Sequence, residues 1–178
     1  MIGGAAQADI GVLVISARKG EFEAGFEQGG QTREHAMLAY TLGVQKLIIL
    51  VNKMDCCDWE EKRYTQIKKK LAPFLRSCGY KVKRDCVWIC ASGLHGLNLS
   101  KPLDKTMAPW MKDRRCLLDV MDDIDLAFRD PDGPVRVPIL EKFSDRGTWI
   151  MGKVEQGTVR IGQKYIIMPN GTETKVAD

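Results

Sequence analysis

The sequence predicts an α/β unit followed by the start of a small antiparallel β-barrel, on three observations. Apolar, β-branched runs of strand length recur at Asp9–Ile15, Lys46–Val51 and Val87–Ala91, which is the signature of strands buried on both faces. Segments of helical period separate them, so the strands belong in a parallel sheet covered by helices through right-handed crossovers. At Asp130-Pro131-Asp132-Gly133-Pro134 the helical period stops, and glycines recur at 147, 152, 157 and 162 among short strand-like runs. The expected domains are therefore 1–130 and 131–178. The second is too short to be a stable domain on its own, since about 60 residues is already marginal.

Each element has its own reason. Asp9–Ile15 begins the sheet. Lys19–Gly30 is rich in glycine and glutamate and reads as a loop. Thr32-Arg33-Glu34-His35 opens a helix to about Leu42, with Gly43 as its stop. Lys46–Val51 is the second strand. Trp59–Cys78 is a long helix ended by Gly79, and Pro73 inside it should kink it or shift its register. Val87–Ala91 is the third strand. Arg115–Phe128 repeats leucine, methionine and isoleucine at helical spacing. Val135–Ile139 starts the barrel, where Trp149 and Ile150 read as core strand residues.

Composition narrows the class. The chain has 178 residues, 44% hydrophobic and 28% charged, which excludes a largely disordered chain. No apolar run approaches the roughly 18 residues of a membrane span, and Met1-Ile2-Gly3-Gly4-Ala5 has no basic secretory start. A cytoplasmic setting is the expectation, with no membrane and no DNA partner. The net charge of +4 permits a nucleic-acid neighbour without demanding one. Six cysteines, at 56, 57, 78, 86, 90 and 116, contain no CxxC pair, so they read as reduced thiols, with a redox pair at Cys56-Cys57 as the sharper alternative.

The chemistry concentrates at two strand ends. Lys46–Val51 runs directly into Asn52-Lys53-Met54-Asp55. Open α/β sheets bind ligands beyond the carboxyl ends of their strands. An aspartate carboxylate accepts two donors side by side, and guanine offers its ring N–H and exocyclic amine. Adenine presents a different edge, so Asp55 would discriminate between the bases. Asn52 both accepts and donates, and the Lys53 stem can lie across a base with its charge in solvent. Val87–Ala91 in turn runs into Ser92-Gly93-Leu94, a tight turn able to offer a backbone N–H to a base oxygen. Two such loops together argue for a guanine pocket more strongly than either alone.

These residues resemble the translational GTPases of the elongation factor one-alpha group. Asn52-Lys53-Met54-Asp55 looks like that family's guanine-specificity motif, and Ser92-Gly93-Leu94 like its second base-contacting loop. Met1–Asp9 resembles the stretch just after the family's Mg²⁺ and catalytic-histidine loop. Gly147-Thr148 through Gly162 resembles its second-domain barrel, so the resemblance covers essentially the whole chain. It implies a partial P-loop-type GTPase domain, GTP or GDP as ligand, and Mg²⁺ held by residues that this sequence lacks. It also implies Asn52, Lys53, Asp55, Ser92, Gly93 and Leu94 as base contacts. Val14–Glu23 and Asp132–Ile139 look most like the branch that assists polypeptide release at stop codons. That branch implies the ribosome and a stop-codon-reading release factor subunit as partners. The short connection Cys56-Cys57-Asp58-Trp59 looks more like the ribosome-rescue branch. A non-catalytic module that docks on the ribosome or a release factor is the reading from another class.

The sequence contains no G-x-x-x-x-G-K-[ST] loop to cradle phosphates. Its closest glycine-rich stretch, Gly20–Gly30, carries glutamates that would repel them. His35 and His95 do not match the family's catalytic histidine and read as structural or solvent-facing, so the sequence offers no catalytic residue. Lys68-Lys69-Lys70 with Lys62 and Arg63 makes one helix basic, open to a ribosomal RNA contact or to a solvated face, since Glu60 and Glu61 interleave. Phe22 and Phe26 read equally as partner anchors or as packing.

Overall fold

The computed structural model describes residues 7–125 and 130–177, in two compact units, Met1–Asp125 and Leu126–Asp178. Most of the Met1–Asp9 segment and the end of the helix read to Phe128 lie outside the described residues.

In the first unit β1 (Ile10–Ser16), β2 (Lys46–Asn52) and β3 (Cys86–Cys90) form a parallel sheet in the order β1-β2-β3. The register aligns Ile10 with Lys46 and Leu47 with Cys86. Alternation along the strands splits the apolar residues between two faces. Leu13, Ile15, Leu47, Ile49 and Val51 point to one core with Phe22, Ile67, Leu71 and Leu75. Ile48, Leu50, Ile89 and Ala91 point to a smaller one with Val120. Only the central β2 is buried throughout its middle. In β1, Val12 and Val14 are 41% and 55% exposed, against the expectation of a strand buried on both faces. The reason is coverage: β1 is an edge strand among the described residues, and its even-numbered side chains lie on the more thinly covered face.

The stretch Lys19–Gly30 is not a plain loop. It contains α1 (Glu21–Phe26). Gly20, at φ 86°, turns the chain into it, and the Glu23 carboxylate accepts the Gly20 N–H at 2.8 Å. Burial of Phe22 overrides the glycine content. Phe22 stacks on Phe26 at 5.4 Å, and the Arg33 guanidinium lies over Phe26 and Phe74, so these phenylalanines are packing residues. Next comes α2 (Gln31–Thr41), stopped at Gly43 with φ 87°.

Pro73 does not interrupt α3 (Glu61–Cys78), which begins two residues later than Trp59. Pro73 and Lys69 are both exposed, so the Lys69 carbonyl that proline leaves without a helical donor can be solvated. Gly79 ends this helix at φ 116°, where any Cβ would stand 2.2 Å from the Tyr40 ring. A one-turn helix α4 (Val82–Asp85) leads into β3. The helix read at Arg115–Phe128 is shorter, α5 (Leu117–Asp123). Arg115 is used before it begins, in ion pairs with Asp113 and Asp123, and the Asp119 carboxylate accepts the Cys116 N–H at the cap.

In the second unit β4 (Ile139–Ser144) pairs antiparallel with β5 (Thr148–Gly152), and β6 (Lys164–Ile167) with β7 (Thr172–Lys175). The expected start at Val135 is only a single bridge, Arg136 with Gln156, because Pro134 and Pro138 cannot donate to a ladder. Trp149 and Ile150 are strand residues but not core residues: Trp149 is 53% exposed. Among the described residues each ladder has two strands, which is too few to enclose a core. Gly157 has φ 76° and passes so close to Val135 that a Cβ would sit 2.7 Å from its Cα. All six cysteines are free thiols.

Candidate base-reading site

The loops after β2 and β3 meet at the carboxyl end of the sheet, and Asn52 ties them together. Its Oδ1 accepts two backbone N–H groups at 2.8 Å, from Lys53 of its own loop and from Gly93 of the other. A second tie runs between the backbones, from Met54 N–H to the Ala91 carbonyl. Gly93 fits because a Cβ there would press on the Asn52 amide at 3.3 Å. The Gly93 N–H, one of the candidate donors to a base, is thus already used to join the loops.

The β2 loop holds its shape through strained backbone. Lys53, Asp58 and Trp59 all have φ between 48° and 62°, which non-glycine residues rarely adopt and which clusters at functional sites. The turn closes through the Trp110 indole N–H, which donates to the Trp59 carbonyl at 2.7 Å. The β3 loop closes by reciprocal bonds between Ser92 and Leu97. Below it the buried Asn98 donates to the Cys90 carbonyl at 2.8 Å and accepts the Leu103 N–H at 3.1 Å. Asn98 is a structural determinant that sequence reasoning missed. The available signal was an asparagine able to take φ 60° directly after the second base loop.

Between the loops sit two buried polar groups, the Asp55 Oδ1 and the Ser92 hydroxyl. The nearby Ser92 hydroxyl is the largest influence holding the Asp55 carboxyl below the usual carboxylate range, so it is ionised at neutral pH. Asp55 Oδ2 accepts the Cys56 thiol at 3.5 Å, and His95 Nε2 stands 3.9 Å away, beyond hydrogen-bond reach. The ionised Asp55 carboxylate, set between the two loops, is an acceptor for a planar ligand that offers adjacent N–H donors.

Lys53 forms the flank of the site. Its Nζ is 2.7 Å from Glu21 Oε2 of α1, and the Ser16 hydroxyl donates to the same oxygen at 2.7 Å. Glu23 is bound by the buried Arg63, which also donates to the Ala17 and Arg18 carbonyls. Two of the glutamates expected to repel phosphate are therefore paired with cations. The Leu94 side chain is 86% exposed. Lys68 leaves the basic face to lie over the Tyr64 and Trp88 rings, at 5.9 and 5.3 Å. Among the described residues, no three His, Cys, Asp or Glu gather to hold a metal, and no helix is long and apolar enough to cross a membrane.

Two strand-end loops tied by an asparagine, with an ionised aspartate between them, are the marks of a nucleotide-binding α/β domain. Residues 1–127 match the elongation factor Tu GTP binding domain, and the chain belongs to that family. It is 49% identical over 172 residues to a eukaryotic peptide chain release factor GTP-binding subunit of Zygosaccharomyces rouxii, covering 96% of this chain and 26% of the relative. The corresponding subunit of Ogataea pini is 48% identical over 178 residues, 99% of this chain and 24% of the relative. The chain thus spans about a quarter of the length of these curated relatives. Among solved structures, sup35 complexed with GDP superposes with a TM-score of 0.66 at 41% identity, over 99% of this chain and 44% of that one.

Proposed function

We propose that this chain is the base-reading part of a guanine-nucleotide-binding translation factor that assists polypeptide release at stop codons. One observation carries the reading: the ionised Asp55 carboxylate and the Ser92 hydroxyl face each other between two loops locked together by Asn52. Guanine would satisfy Asp55 with its ring N–H and exocyclic amine. The Lys53 stem would cover one face of the base, and the Ser92-Gly93-Leu94 turn would close its edge, with the Leu94 N–H rather than the Gly93 N–H toward the base oxygen. The release-factor names of the relatives and the GDP in the sup35 structure support this choice. On the same support the partners are the ribosome and the stop-codon-reading subunit and the setting is the cytoplasm; the change of sequence pattern after residue 130 supports 1–130 and 131–178 as the domains.

GTP or GDP is the ligand class, and the residues present fit its base. They do not fit its phosphates or its Mg²⁺: the sequence contains no phosphate-cradling loop and the described residues gather no metal-ligand cluster. The chain's own contribution is base recognition, and hydrolysis requires phosphate-binding residues that this sequence does not contain.

The test is a titration of the ¹⁵N-labelled chain with GMP, XMP and AMP, read as amide shifts at residues 52–55 and 92–95. GMP should bind and AMP should not. Asp55→Asn should weaken GMP by roughly 1–3 kcal/mol, as loss of a charged hydrogen-bond acceptor does, and turn the preference toward XMP. An unchanged GMP preference in that variant would show that Asp55 does not read the base.

A further inference from the structure

Lys53 does not project freely into solvent. Its ammonium meets Glu21 at 2.7 Å across 32 residues of sequence, and the two side chains are 45% and 38% exposed. The same carboxylate oxygen receives the Ser16 hydroxyl, and Glu21 Oε1 faces Arg18 at 3.4 Å. Glu21 is thus fixed from the end of β1, and Lys53 is fixed by its left-handed backbone at one end and by Glu21 at the other. The Lys53 hydrogen bond is also the largest of the influences that hold the Glu21 carboxyl below its ordinary value.

We infer that Glu21 is a positioning residue of the base site, holding the Lys53 ammonium so that the four-carbon stem stays extended as a preformed flank for the base. The inference rests on the base-reading function proposed above. A lysine side chain has many rotamers to lose, and a partner already in place before the ligand arrives removes part of that cost from binding. The arrangement also gives α1 a purpose: it carries Glu21 to Lys53 while Glu23 anchors the same turn to the buried Arg63.

The same GMP titration tests it, with Glu21→Gln, Lys53→Met and the double variant. Glu21→Gln should weaken GMP about three- to fivefold, in the range of a partly exposed ion pair, with the GMP-to-XMP ratio unchanged because Asp55 is untouched. In the Lys53→Met background the same substitution should have no effect. An undiminished GMP affinity in Glu21→Gln overturns the positioning role alone. So does a loss that persists without Lys53, or an equal loss in Glu34→Gln on the neighbouring helix. Absence of any guanine preference in the unsubstituted chain overturns the base-reading function and this inference with it. Should Glu21→Gln not fold, Glu21→Asp carries the same cycle, with a smaller loss that again vanishes without Lys53.

Discussion

The two units of this chain put similar lengths into strands and reach opposite degrees of burial. In Met1–Asp125, β2 has Ile48, Ile49 and Val51 fully buried, with apolar side chains packed against both sheet faces. In Leu126–Asp178, the ladders β4-β5 and β6-β7 leave Phe143, Trp149, Ile150 and Ile166 exposed. A strand-like sequence makes a strand in both places. What differs is the second layer, without which the hydrophobic surface stays in water and contributes little stability.

The largest way to break the first unit is to remove Arg63. Its guanidinium is buried, binds Glu23 and donates to two carbonyls, so Arg63→Ala, which strips those carbonyls of their donor and empties a buried site, should destabilise the unit by about 3–5 kcal/mol. Urea unfolding monitored at residues 17–23 reads the loss. Leu71→Ala, in the middle of the buried α3 face, should cost about 2–5 kcal/mol through lost burial and the cavity it leaves. A cost near zero there would mean that α3 is not docked on the sheet.

The Glu23–Arg63 pair sharpens the comparison through pH. Arg63 pulls the Glu23 carboxyl down from 4.5 to about 2 in the folded state. The folded value lies below the unfolded one, so the stabilisation is complete above about 4.5 and is lost as pH falls toward 2. Glu23 is about one-third exposed, so screening limits the effect to about 1 kcal/mol. Thermal unfolding from pH 6 to pH 2 should show the gap between the chain and Glu23→Gln closing over that window. The smallest effect belongs to the second unit. Trp149→Ala, despite removing the largest side chain type, should change stability by no more than about 0.5 kcal/mol, as exposed substitutions do.

Much of the site is legible in local sequence. Asn52, Asp55 and Ser92 stand directly after apolar strands, and strand-end position follows from local pattern alone. Gly43 and Gly79 end their helices where the pattern calls for a left-handed residue. The role of the glutamates in Gly20–Gly30 is not legible in the same way. A charge's effect depends on its partner, and Lys53 and Arg63 are distant in sequence. The helix around Pro73 runs on without a break, as the exposed Lys69 carbonyl allows.

Local pattern sets the three parallel strands, the loops that follow β2 and β3 and the change of grammar near residue 130, because periodicity and turn residues act over a few neighbours. Which faces are covered depends on packing between distant segments. That packing leaves Val12 and Val14 on β1, and Trp149 on β5, exposed, although all three are strand-forming residues. It alone joined Asn52 to Gly93, Glu21 to Lys53 and Glu23 to Arg63, contacts spanning 41, 32 and 40 residues. Burial and pairing depend on what arrives from elsewhere in the chain, and no local pattern encodes that arrival.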